Sequence, residues 1–154
     1  MTQSGTPSGS RLTMRQTIEG EVTLLTQFVE LLRREQESLT QGVADDLPQL
    51  ADQKNGLVIQ LNRLSAQRAA FLETRGLTAD RAGIDVWCAQ AQDPEATEAW
   101  RKVLQLAAEA RELNRVNGEL IQIRMQFTTK ALEALGGAKN HAIVVPDANK
   151  EQTL

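Results

Sequence analysis

Between positions 18 and 39 the chain returns a seam residue in alternating steps of four and three: Ile18, Val22, Leu25, Val29, Leu32, Gln36, Leu39. That spacing is a heptad repeat, and it confines the segment to a helix laid along at least one other helix. Leu24, Phe28 and Leu31 widen the stripe on one flank, beyond what the seam of a two-helix contact uses. The helix is expected over about Leu12–Gln41, with Gly42 ending it.

The next segment repeats the logic. Asp45 or Asp46 can cap a helix that carries Pro48 in its first turn and runs to about Arg75. Its seam reads Leu47, Leu50, Lys54, Leu57, Leu61, Leu64, Arg68, Phe71. Two long helices joined by so short a break predict an antiparallel hairpin, with arms roughly 40–45 Å long at about 1.5 Å per residue. After Gly76, Thr78 or Asp80 can cap a short third helix through Ala91, which Gly83 weakens by propensity. Trp87 and Trp100 are expected to pack that short helix against the bundle. Asp93-Pro94-Glu95 is a helix start, and the last helix should reach about Leu135 before Gly136-Gly137. No strand alternation competes. The expected fold is all-α: a long antiparallel hairpin, a short helix and a long last helix in a coiled-coil-like bundle. Residues 1–11 are expected to be disordered, 12–137 to form the helical domain and 138–154 to be a flexible tail.

Composition narrows function mainly by exclusion. Cys88 and His141 are the sole residues of their types, too few to close a zinc site. No Glu-x-x-His pair exists for a di-metal bundle, and no glycine-rich phosphate loop follows a strand. No cofactor and no enzymatic activity are therefore expected. A net charge of −3, with acids interleaving Arg33-Arg34 and Arg111, Arg115 and Arg124, argues against nucleic acid. Short apolar runs argue against membrane insertion. Glu35 with Glu37, and Asp45 with Asp46, read as solvated surface. Lys54 and Arg68 on the second seam have two readings: stems packed with heads snorkelling out, or polar positions that set a coiled-coil register.

The last seam contains an oddity. It runs Trp100, Val103, Ala107, Ala110, Asn114, Asn117, Ile121, Arg124, so two asparagines occupy apolar positions and Gly118 follows directly. Glycine costs about 1 kcal/mol against alanine inside a helix, and asparagine roughly half of that. One reading is an Asn-Gly turn that splits the helix. The register continues through Ile121 to Arg124, however, which favours one helix with a polar notch where a neighbouring helix, the chain's own or a partner's, comes close.

"ELNRVNGELI" (112–121) resembles the Glu-Leu-Asn-x-x-Asn-Gly-x-Leu-Ile signature of the FlgN-type flagellar export chaperones. "FVELLRREQESL" (28–39) resembles that family's first helix, and "LPQLADQKNGLVIQLNRLSAQR" (47–68) its second, with Lys54 and Arg68 inside the run. Where the family often carries a Tyr-Gly-Pro-Asp-Gly-like motif after the last helix, this chain has "VVPDA" (144–148): Pro146 and Asp147 match, and Val144, Val145 and Ala148 depart. The resemblance implies a cytoplasmic chaperone that holds terminal helical segments of hook–filament junction proteins. It also implies hand-off to components of the flagellar export gate and export ATPase complex. Leu24, Phe28, Leu31, Asn114, Asn117, Gly118, Ile121, Val144, Val145 and Pro146 are the candidate partner-binding residues. A coiled-coil adaptor or self-associating bundle is the alternative, and the oligomeric state stays open between monomer and homodimer.

Overall fold

The computed structural model of the chain describes residues 13–136. The expectations for residues 1–11, for the tail from 138 and for His141, Val144, Val145 and Pro146 lie outside the described residues. Four helices follow in order: α1 Met14–Gln41, α2 Leu47–Thr74, α3 Arg81–Ala91 and α4 Pro94–Ala134. The described residues contain no strand.

Each helix starts and stops for a local reason. Thr13 caps α1 in a reciprocal box: its hydroxyl accepts from the Gln16 N–H, and the Gln16 side chain accepts from the Thr13 N–H. Gly42 ends α1 in the left-handed conformation, and the Val43 N–H closes onto the Ser38 carbonyl. Asp46 stands before α2 yet makes no side-chain cap. Its carboxylate instead accepts from the Ser38 hydroxyl at 3.0 Å and ties the hairpin turn to α1. Asp93 caps α4 through the Ala96 N–H, with Pro94 in the first turn.

α1 is the centre of the molecule. α2 lies against it antiparallel, and α4 lies against it parallel, with Arg33 of α1 paired to Glu109 and the C-terminal end of α1 bonded to Arg124. α2 and α4 scarcely touch each other. This accounts for the wide stripe on α1, because a helix that meets two neighbours buries two flanks. Ile18, Leu25, Phe28, Val29, Leu31 and Leu32 are all buried there. α3 packs on the end of α2, where Leu72 and Ile84 are fully covered.

Gly83 gains a role that propensity alone does not assign. A Cβ built on it would stand 1.8 Å from the Thr78 carbonyl oxygen. The same turn is bound by Asp80, whose carboxylate accepts from the Thr78 hydroxyl and the Gly83 N–H. Those two bonds hold its carboxyl below the usual carboxylate range. Glycine is thus the residue that lets the loop cross the first turn of α3. Gly83→Ala should destabilise the fold by about 1–3 kcal/mol as overpacking does, read as a lower midpoint in urea at unchanged slope.

Candidate partner-binding groove

Two polar junctions fasten the three long helices, and both use residues the seams marked. At the first, Arg68 of α2 donates from Nε and Nη2 to the two carboxylate oxygens of Glu21 on α1, at 2.8 and 2.9 Å. The guanidinium also reaches the Ser65 hydroxyl at 3.2 Å and lies 4.9 Å from the ring centre of Trp100 on α4. Trp100 therefore anchors α4 to the α1–α2 hairpin, whereas the sequence suggested that it would hold α3. Trp87 is half-buried on α3 and packs at the edge of the core.

At the second junction Lys54 of α2 donates to both oxygens of Glu35 on α1, each at 3.1 Å. Asn117 of α4 is 2 % exposed, and its Nδ2 donates to Glu35 Oε1 and to the Leu32 carbonyl, both at 2.9 Å. Its Oδ1 is buried without a partner. Glu35, which the sequence places on a solvated surface, is instead buried, because a cation from one neighbour and an amide from the other complete its hydrogen bonds. Lys54 and Arg68 take the register-setting role, since each pairs with a glutamate and the pairs lie two heptads apart on both helices.

α4 is one helix from end to end. Asn117 and Gly118 are helical, and Gly118 is absent from the residues with positive φ. The splitting turn is ruled out, and the poor helix formers have another explanation. Asn117 is the donor that fastens α4 to α1. Gly118 lines a groove.

That groove, of about 800 Å³, runs between α2 and α4 with α1 as its floor. Leu47, Ala51, Asn55 and Val58 form the α2 wall, and Asn114, Gly118 and Ile121 form the α4 wall. Phe28 and the Lys54–Glu35–Asn117 cluster form the floor. Five of the residues singled out in the sequence thus come together: Phe28, Asn114, Asn117, Gly118 and Ile121. Leu31 is buried and opens on the other side of the hairpin, onto a smaller cleft of about 370 Å³ between α1 and α2. Leu24 is half-buried against the core. The α2 wall carries no signal in the sequence, because Leu47 on the seam and Val58 beside it look like any other packing residues.

Beyond the groove α4 outruns its neighbours. Arg124 donates to the Leu39 carbonyl at 3.3 Å, near the end of α1, and α4 continues to Ala134. Ile123, Phe127, Leu132 and Leu135 are exposed on this stretch, Phe127 at 73 % and Leu135 at 84 %. Among the described residues no acidic, His or Cys cluster could hold a metal, and no helix is long and apolar enough to cross a membrane.

These features define an all-α protein with an open groove between α2 and α4. The FlgN protein family matches residues 13–145, and the chain belongs to that family. It is 25% identical over 134 residues to the flagella synthesis protein FlgN of Yersinia enterocolitica serotype O:8, covering 86% of this chain and 85% of the relative. A second Yersinia enterocolitica protein of the same name is 25% identical over 131 residues, covering 84% and 83%. The crystal structure of a flagella synthesis protein FlgN from Pseudomonas aeruginosa shares the fold, with a TM-score of 0.64 and 22% identity over 90% of this chain and 95% of that one.

Proposed function

We propose that this chain is a cytoplasmic export chaperone of the flagellum. It holds an amphipathic terminal helix of a hook–filament junction protein and hands it to the export gate and its ATPase complex. The observation that carries this reading is the open groove. α2 and α4 each pack on α1 and scarcely meet each other away from the Arg68–Trp100 contact, so one side of a four-helix arrangement is left for a fourth helix. Such a client segment orders on binding, which lowers affinity per unit of buried area and suits transfer from one partner to the next. With no glycine-rich phosphate loop in the sequence, release proceeds by partner exchange.

Calorimetry with a synthetic client segment tests this. Burial of apolar surface should give a negative heat-capacity change; no heat and no heat-capacity change would sink the reading. Gly118→Ala adds a test with two readouts of opposite sign. Since Gly118 lies on the groove wall, stability should rise by about 0.4–1 kcal/mol, as alanine restricts the unfolded chain and favours helix. Client affinity should fall, because a methyl in the notch overpacks the incoming helix by about 1–3 kcal/mol. A loss of stability would mean that one of the chain's own helices already fills the notch.

A further inference from the structure

The apolar face at the end of α4 has no partner among the described residues. Past Arg124, α4 projects about 15 Å beyond the end of α1, counting about 1.5 Å per residue. On a helical projection Ile123, Phe127, Ala131, Ala134 and Leu135 share one half of the surface, and Gln122, Gln126, Lys130 and Glu133 the other. Ile123, Phe127 and Leu135 are exposed on the apolar half, while Leu132 is exposed on the opposite side of the helix. Scattered exposed apolar residues need no explanation, but a contiguous stripe marks an interaction surface.

We propose that residues 142–146 of this same chain, Ala-Ile-Val-Val-Pro, cover that stripe when no client is bound. Three observations point to this occupant. The helix ends at Gly136 with φ of 92°, a left-handed residue that turns the chain away from the helix axis. From there Gly137–His141 supply five residues, which at about 3.3 Å each span roughly 16 Å. Leu135 to Phe127 is about 12 Å along α4, so the segment reaches the middle of the stripe. The chemistry matches as well: Ile143, Val144 and Val145 are the one apolar run after α4, set between polar stretches. Their β-branched side chains favour the extended form, which lays alternate residues against a surface. A tether this short gives an effective concentration in the millimolar range, so a contact too weak to hold two separate molecules still closes within one chain.

The consequence for clients rests on the proposed chaperone reading. A client helix seated in the groove and continuing along α4 must displace the segment. Its apparent affinity is then lowered by the fraction of molecules in which the stripe is covered. The tail thereby keeps the unladen protein from presenting a bare apolar helix end and sets a threshold that a genuine client clears.

The test uses the full chain carrying Val144→Asp and Val145→Asp. Without any client, a dye that reports exposed apolar surface should brighten severalfold over wild type, and amides 123–135 should exchange faster. Client affinity should rise by about threefold to tenfold, the release of a competitor occupying most of the population. Unchanged dye binding and exchange overturn the proposal whether or not any client binds. Reduced client affinity with unchanged dye binding would assign the segment to the client interface instead. A dye signal that depends on protein concentration would make a second copy the occupant. If no client segment binds either protein, the chaperone reading fails, while the dye and exchange results still decide what covers α4.

Discussion

Glu21→Ala should lower the stability of the fold by about 3–5 kcal/mol, the cost of breaking a buried ion pair by removing one partner. Glu21 is 3 % exposed and accepts two hydrogen bonds from Arg68. Without it the guanidinium keeps only the Ser65 hydroxyl and the Trp100 ring, at a place where three helices exclude water. Replacing both partners by apolar residues, as in Glu21→Leu with Arg68→Met, should be close to neutral or stabilising, because no charge is then left buried. Urea unfolding of the two variants separates these cases. Equal losses would mean that the site depends on shape and not on charge.

An apolar pair would be stable there, so the use of a charged one calls for a reason, and register supplies it. Glu21 meets Arg68 and Glu35 meets Lys54 at one and the same antiparallel alignment of α1 with α2. Sliding α2 by one heptad either way would set Glu35 against Leu47 or Leu61, both on the α2 seam. A leucine heptad tolerates such a slide, and a carboxylate buried against leucine does not. The charged pairs therefore fix which of several similar packings the hairpin adopts, and with it the line-up of the two groove walls.

The long helices were legible because heptads report helix and buried face together. Lys54 and Arg68 were legible as positions, since a cation on an apolar seam asks for a partner. Glu21 and Glu35 were not. The spacing also admits a second seam through Met14, Ile18, Glu21, Leu25, Phe28, Leu32, Glu35 and Leu39, which is the one buried throughout. The seam counted on spacing and apolar character runs through Val22, Val29 and Gln36 in place of the glutamates and Phe28. Both seams share Ile18, Leu25, Leu32 and Leu39, Val29 is buried as well as Phe28, and hydrophobicity alone passes over glutamates whose charge is paired across helices. Two heptads separate the glutamates just as two separate the cations, and that matched interval was the available signal. The groove was hidden for a different reason: it exists because two helices fail to meet, and no single-helix pattern encodes a missing contact. Gly83 was hidden likewise, since its function is to stay out of the way of a carbonyl from a loop.

The asparagine near the centre of α4 has a doubly bonded donor and an unpartnered acceptor. Asn117→Asp changes one nitrogen to oxygen with almost no change in shape, yet should cost about 3–5 kcal/mol near neutral pH. Two bonds are lost at once, one to a charged acceptor worth about 1.5–3 kcal/mol and one to a carbonyl worth about 1 kcal/mol. In their place an oxygen would face Glu35 Oε1 and the Leu32 carbonyl at the 2.9 Å now spanned by N–H donors. Two carboxylates that close cannot both ionise at ordinary cost, so the new carboxyl should hold its proton to a higher pH in the folded chain than in the unfolded one. The sign follows from linkage. A carboxyl whose folded pKa is raised leaves stability intact below its unfolded pKa of about 3.9 and removes it progressively as pH rises through the folded value. The deficit of the variant relative to wild type should thus be smallest near pH 4, where the protonated carboxyl can still donate one of the two bonds, and grow toward neutrality. Asn117→Leu is the control: it removes the donor and also the unpartnered Oδ1, adds no charge, and should cost less, with no such pH dependence. Denaturation of the three proteins across pH 4–8 decides the matter. Parallel curves for the aspartate and leucine variants would show that the Asn117–Glu35 contact does not hold α4 to the central helix. The groove wall formed by Asn114, Gly118 and Ile121 would then have to be positioned by apolar packing alone.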